Sequence, residues 1–581
     1  MNNITAGKAT YFVIVVFGII VFLSALFNGF LWDDRWFIVY NPEVQTLNVK
    51  KIFGPSMFNS DSYYRPMSAL YFTLMHIVFN EHPFFYHIVQ IGLHICNAIL
   101  IFILLKSFFK EKLSLFLAVI FLIHPINAHS VAYIASTESP LFSLFGLLAL
   151  LLVQKSKFTT KNSVVIASLF FLALLTREEG ILFVIMANVF CVIFQKSYAK
   201  FLLFISSISV LFYLFIRFVF GTENISSFKD FLIRSSDIVD GKFVPIVHLP
   251  LLERLINIPQ IILHYLRIFF FPMKLAVDQL WVVSSVSFTD FYFPLTLIIA
   301  LLSSALLFAI YLFKNNRKLF RVHLFFFVWL LVGLGMHLPF IPLDMTVADH
   351  WFYFPIIGIL GMLGVGIQVL LSKFEKVKRL FTLIGILIII LLSVRTVVRN
   401  TNYHDEVSLF NHDSQVQDNY DIELNLGSDY LQQGNPQEAE AHLLRSVELF
   451  PTTNNLYNLG VVYEYANNLQ KARDYYLKAF NSPAYSTVPN KHLVNTYFRL
   501  AWVLLRFDDP ETAEKVSGAG LQFYPDSDTL WYALAMSEYK LNNQIKALSA
   551  IEKAISLQPS KEYSDVRTII LNKGPLNLPK P

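Results

Sequence analysis

The sequence predicts an all-α chain in two parts, a polytopic membrane bundle of about eleven helices followed by a soluble α-solenoid. Three observations carry this. Over 581 residues, 55% are hydrophobic and only 15% are charged, too few charges to clothe a single soluble domain of that apolar content. Long apolar segments recur until about Val398, whereas the chain beyond it is polar and repeats with a period near 34 residues. Charge divides in the same place: residues 401–581 hold 15 Lys/Arg against 22 Asp/Glu, a net −7, which leaves +12 for residues 1–400 of the overall +5. The expected domains are therefore a membrane domain over 1–400, with outer loops at 29–85 and 221–290, and a repeat domain over 401–581.

The first span runs near 9–28. No small-residue cleavage site follows it, and Asp33 and Asp34 come at once, which predicts an uncleaved anchor rather than a removed signal peptide. Later spans are expected near 86–105, 113–133, 138–153, 163–176, 180–195, 200–220, 291–313, 322–340, 351–371 and 380–397. Their sidedness follows from the cations, because short cytoplasmic connectors are enriched in Lys and Arg. Lys106, Lys110 and Lys112, then Lys155, Lys157 and Lys161, then Lys196 and Lys200, then Lys314, Arg317, Lys318 and Arg321, and finally Lys373, Lys376, Lys378 and Arg379 mark those connectors. For the alternation to hold, 221–290 stays outside. The apolar stretch 257–272, which carries His264 and Arg267, then lies along the interface as a helix. Asp33, Asp34 and the C-terminal domain share the non-cytoplasmic side. Cys96 and Cys191 sit in apolar runs as small core residues, so no disulfide framework is implied.

After residue 420, Leu426-Gly427, Tyr430, Ala439 and Pro451 are followed by Leu459-Gly460, Tyr463, Ala472, Tyr476 and Ala479 at tetratricopeptide spacing. A third unit passes through Leu500-Ala501, Ala513 and Pro525, and a fourth through Trp531, Leu534-Ala535, Ala547, Ala554 and Pro559. Small residues at these offsets let antiparallel helices approach closely, and the prolines end each pair. The stretch 482–490 reads as an insert. About four repeats result. Their functional reading is capture of a protein or peptide acceptor; the alternative is a bundle that only packs on the membrane domain.

Polar residues placed at membrane depth are costly and point to function. Asp33 and Asp34 stand between Trp32, Arg35 and Trp36 at the mouth of the first span, within reach of both headgroups and water. Tyr63, Tyr64, Arg65 and Pro66 follow in the same outer loop before an amphipathic stretch, Met67 to Phe79. Arg65 suits a phosphate, as a fixed planar fork of donors, although an interfacial Arg taken on its own is more often a lipid-headgroup anchor. His87, His94 and Asn97 lie on one face of the second span; His124-Pro125, His129 and Glu138 come near the outer end of the third. Thr176, Arg177, Glu178 and Glu179 form another outer turn, and Asp344, Asp349 and His350 a further one. The bland readings are solvated acidic loops and histidines that bridge helices.

In their order, Trp32-Asp33-Asp34, Tyr64-Arg65-Pro66, Tyr86-His87 with His94 and Asn97, His124-Pro125, Arg177-Glu178 and Tyr353-Phe354-Pro355, followed by the repeats, resemble the transmembrane and tetratricopeptide-containing O-mannosyltransferases and their bacterial relatives. The resemblance covers nearly the whole chain. It implies the GT-C fold, a polyprenyl-phosphate sugar donor and no metal. The chain departs from that pattern at His129, near Thr137, at Arg177 and at Asp349-His350, where relatives usually carry an acid, an Arg, a Lys and Glu-Arg.

On this footing the expected reaction is inverting transfer of one sugar from a polyprenyl phosphate to an acceptor hydroxyl at the outer face. Asp34 or Asp33 is the general base, with Asp34 the first choice. Arg65 and Arg177 would meet the leaving phosphate, and Tyr64, His87, His94, His124, Glu138, Glu178, Asp349 and His350 complete the candidate site. Paired carboxylates could in principle hold a hard cation, but no second ligand set accompanies them and no cofactor is expected. The expected partners are the lipid-linked donor, membrane lipid and a protein or peptide acceptor, and no nucleic acid. The expected location is a bacterial inner membrane with periplasmic repeats, or the endoplasmic reticulum and its lumen in a eukaryote. Two alternatives stand beside it: a GT-C enzyme modifying lipid or polysaccharide, and a noncatalytic scaffold that recruits partners through its repeats.

Overall fold

The computed structural model describes residues 7–54, 64–155, 159–220, 246–283, 285–341, 343–374, 378–481 and 491–576. Parts of the two outer loops, including Tyr63, and the 482–490 insert lie outside the described residues. Those described form two compact units, one reaching Gln417 and the other beginning at Asp418.

In the first unit a helix occupies each of the eleven apolar segments, but their reach differs. Among the described residues eight helices are long and apolar enough to cross a membrane, from Lys8–Phe27 to Lys378–Asn402. A ninth crossing would be the pair Glu111–Ile123 and Pro125–Ala132, bent by 47°. The bend has a local cause: Pro125 lacks an N–H, and its ring drives His124 out of helical geometry to φ −72°, ψ 127°. His124 then secures the break, its Nδ1 accepting the Ile126 N–H at 3.3 Å and its Nε2 donating to the Phe269 carbonyl at 2.9 Å. Thr160–Thr176 and Gly180–Phe194 are shorter, at 17 and 15 residues. The stretch read as interfacial forms the helix Ile258–Phe270.

Close approach between helices is bought with small residues, as in other membrane bundles. A Cβ on Gly146 would lie 2.1 Å from the Phe183 ring, so the helix Glu138–Lys155 meets Gly180–Phe194 there with no room for a side chain. Two polar residues of the helix Pro83–Lys106 tie it to neighbouring segments. His94 contacts the Tyr353 hydroxyl at 2.8 Å and the Leu122 carbonyl at 2.9 Å, and Asn97 donates to the same hydroxyl and to the Pro140 carbonyl.

The second unit is a stack of antiparallel helix pairs: Tyr420–Gln432 with Pro436–Leu449, Thr453–Tyr465 with Leu469–Asn481, Lys491–Arg506 with Pro510–Phe523, and Asp528–Lys540 with Gln544–Leu557, closed by Lys561–Leu571. Each pair turns through one left-handed residue, Gly434 (φ 76°), Asn467 (55°), Asp508 (60°) and Asn542 (63°). That conformation ends a helix by returning N–H groups to its last carbonyls, and Gly, Asn and Asp adopt it most readily. Ala439, Ala472, Ala513 and Ala547 are fully buried at equivalent positions of the second helices, where the sequence period places small residues.

Candidate active site

The site begins with a strained turn after the first span. Trp32 sits at φ 43°, a left-handed conformation that is rare and costly for a bulky residue. Asp34 holds it there. This carboxylate is fully buried, with Oδ2 accepting the Leu31 N–H at 3.0 Å and Oδ1 the Ala135 N–H at 2.6 Å. Burial pushes its pKa well up, against the pull of those two donors. Further supports are the Trp32 N–H on the Glu406 carboxylate (2.7 Å) and the Trp32 ring stacked on Tyr133. Asp33 is thereby turned the other way, its N–H donating to the Tyr133 hydroxyl at 3.1 Å, into a cavity of about 530 Å³.

Three arginines and three glutamates alternate along this cavity. Arg65, just ahead of the helix Pro66–Phe79, binds Glu138 through Nη1 and Glu178 through Nε at 3.0 Å. Glu178 is shared with Arg217, in the last turn of the helix Ala199–Phe220, at 3.2 Å. Arg177, the residue that ends Thr160–Thr176, pairs with Glu179, donates to Ser139 Oγ at 3.1 Å and reaches His350 Nε2 at 3.1 Å. His350 stacks on His129 with centroids 4.7 Å apart, and His337 lies 3.6 Å from Glu179 and stacks on Trp351.

Charge balance sets the protonation states. Burial would raise Glu178, but Arg65 and Arg217 more than offset it and its pKa is lowered. Glu179 is raised, because burial outweighs Arg177 and the neighbouring glutamates add to it. His350 is driven well below the usual imidazole range by burial and then by Arg177, so it stays neutral and accepts the Arg177 hydrogen bond. Among the described residues no group of three or more His, Cys, Asp and Glu could hold a metal ion.

Of the twelve candidate residues, Asp33, Arg65, Glu138, Arg177, Glu178 and His350 line this cavity. The other six do not. Asp34 is turned onto the backbone beneath it, and Tyr64 donates to the Phe53 carbonyl at 3.2 Å. His94 and His124 bridge helices, and His87 is buried beside the backbone of Asn28, Gly29 and Val131. Asp349 points away, buried near Arg399 and Asp413, with its pKa raised to about 8 by that burial. The candidate list lacked Tyr133, Glu179, Arg217, His337 and Trp351. Arg217 carried a usable signal, a lone cation at the outer end of an apolar run.

The chain is 24% identical to "Protein O-mannosyl-transferase TMTC3" of Homo sapiens across 96% of its own length and 65% of that protein's. It is 24% identical to "Protein O-mannosyl-transferase F38B6.6" of Caenorhabditis elegans across 77% of its length and 63% of the relative's. A shorter match, 32% identical over 143 residues, is to "Protein O-mannosyl-transferase TMTC1" of Mus musculus. Its relatives are protein O-mannosyl-transferases. This chain thus spans slightly less than two thirds of the length of the relatives that match it most fully. Tetratricopeptide repeat models match residues 420–482 and 528–561, so the 34-residue period has the origin its spacing suggested. The family resemblance expected from the sequence is matched by TMTC3 and F38B6.6 along most of the chain.

Proposed function

We propose that the chain transfers a mannose-type sugar from a polyprenyl phosphate to a hydroxyl group of a protein acceptor at the outer face of the membrane. Asp33 is the general base. The acceptor O–H gives its proton to the Asp33 carboxylate as its oxygen attacks the anomeric carbon, and the bond from that carbon to the donor phosphate breaks, its electron pair leaving on the phosphate. Charge grows on the phosphate during this step, so donors already fixed in place lower the barrier. Arg65 and Arg177 are such donors, because Glu138, Glu178 and Glu179 hold their guanidinium planes before any ligand arrives.

The observation that carries the reading is the division of labour in the acidic pair. Asp34 is consumed by two backbone N–H groups while Asp33 faces a cavity with three arginines. This moves the base from Asp34, the first choice on sequence, to Asp33, with Asp34 as a positioning residue. The repeats present the acceptor polypeptide, and the apolar outer surface of the bundle receives the polyprenyl tail.

The experiment is a donor panel of polyprenyl-phosphate sugars offered to the purified full chain with unglycosylated polypeptide. Transfer from the mannose donor is expected, and Asp33→Asn should slow it by about 10²- to 10⁴-fold, the usual contribution of a general base. Full activity in Asp33→Asn rejects the assignment. Absence of transfer and donor hydrolysis with every donor favours the scaffold reading.

A further inference from the structure

A second cavity, of about 470 Å³, opens beside the helix Ile258–Phe270 and shares no lining residue with the first. Its polar wall includes Gln260, His264, Arg267, Lys274 and Gln279, so two cations face it and no carboxylate does. Neither Arg267 nor Lys274 has a hydrogen-bond or ion-pair partner among the described residues, and both are exposed. That contrasts with the first cavity, where every arginine is neutralised by a glutamate. Gln279 is only 4% exposed. Its Oε1 accepts the Trp281 indole N–H at 3.2 Å, which fixes the amide orientation, and leaves Nε2 as a buried donor with no partner. Burying such a donor unpaired costs about 1–3 kcal/mol, a cost that an anionic acceptor in the cavity would relieve.

The surroundings say what kind of anion. Phe293, in the first turn of the helix Phe293–Asn315, lines the cavity, and Arg395, near the end of the span Lys378–Asn402, donates to the Pro272 and Met273 carbonyls beside it. Two span ends thus fix the cavity at the edge of the membrane. Large apolar side chains around it stand in the open: Phe271 at 73%, Met273 at 69% and Phe288 at 72% exposure. Cations beside an exposed aromatic belt suit a molecule with a phosphate at one end and hydrocarbon at the other.

We propose that this cavity binds the headgroup of an anionic phospholipid, its phosphate held between Arg267 and Lys274 with Gln279 as a third donor and its tails over Phe271 and Phe288. The inference does not depend on sugar transfer. It is tested by native mass spectrometry of the full chain with dioctanoyl phosphatidic acid, dioctanoylglycerol or inorganic phosphate. Phosphatidic acid should be retained, and the variant Arg267→Gln/Lys274→Gln should hold it roughly thirtyfold more weakly, the contribution of two cations near a membrane surface. The charge-conserving exchange Arg267→Lys/Lys274→Arg should retain it, as should Arg65→Gln in the other cavity. Undiminished binding by the double glutamine variant overturns the proposal, and so does loss in Arg65→Gln alone. Equal retention of dioctanoylglycerol would show that tails suffice, and equal retention of inorganic phosphate would make this a soluble-anion site; either result overturns it.

Discussion

Asp33 and Asp34 are adjacent and chemically identical, yet the backbone gives them different work. The left-handed Trp32 turns one carboxylate inward onto Leu31 and Ala135 and the other out to the cavity. An Asn at position 34 can accept only one of those two N–H groups and sets its own NH₂ against the other. Asp34→Asn should therefore cost about 1–3 kcal/mol of stability, seen as a lowered thermal midpoint in detergent, whereas Asp33→Asn should lower the midpoint less while slowing transfer by about 10²- to 10⁴-fold. No property of the pair in sequence reveals this, because it depends on one φ angle fixed by contacts more than 100 residues away. Asp349 carries a separate prediction. Its pKa rises from 3.8 unfolded to about 8 folded through burial, so between these values the folded state binds more protons and stability falls as pH rises. Above about pH 8 the slope vanishes. Thermal midpoints of the full chain between pH 5 and pH 8 should fall less in Asp349→Asn than in the parent; identical slopes would remove Asp349 as the source.

The helices were legible wherever hydropathy or periodicity had a run of residues to act on. Apolar stretches marked the spans, and the 34-residue period marked the repeats, because both depend on many positions that agree. Individual polar positions within those runs were less informative. His94 and Asn97 share a helix face, as a catalytic pair might, but both are spent on the Tyr353 hydroxyl. Tyr353→Phe should thus strand two buried polar groups and destabilise the bundle by about 1–3 kcal/mol, read as a lowered midpoint with the KM for donor unchanged. A change in KM alone would return these residues to the site. Arg217 and His337 were missed for the opposite reason: each is a single polar letter at the edge of an apolar segment, and only packing brings them to Glu178 and Glu179. The family words supplied Arg65, Arg177 and Glu178 because those stand in short contiguous motifs.

A donor carried in the membrane, a base just beyond the first span and repeats that gather the acceptor can cooperate only if they share a compartment. The cation-rich connectors predict that they do. Membrane-impermeant thiol labelling of single cysteines placed at residues 33 and 545 should modify both from the same side, and opposite labelling would break the proposed topology. Reactivity itself is best tested in cells that lack the endogenous activity and express the parent chain, Asp33→Asn or Asp34→Asn at matched levels, with intact acceptor proteins analysed by mass spectrometry. Hexose additions on serine or threonine should appear with the parent chain and accumulate about 10²- to 10⁴-fold more slowly with Asp33→Asn. Undiminished additions with Asp33→Asn would contradict the assignment of the cavity beneath Trp32 as the place where the sugar is transferred.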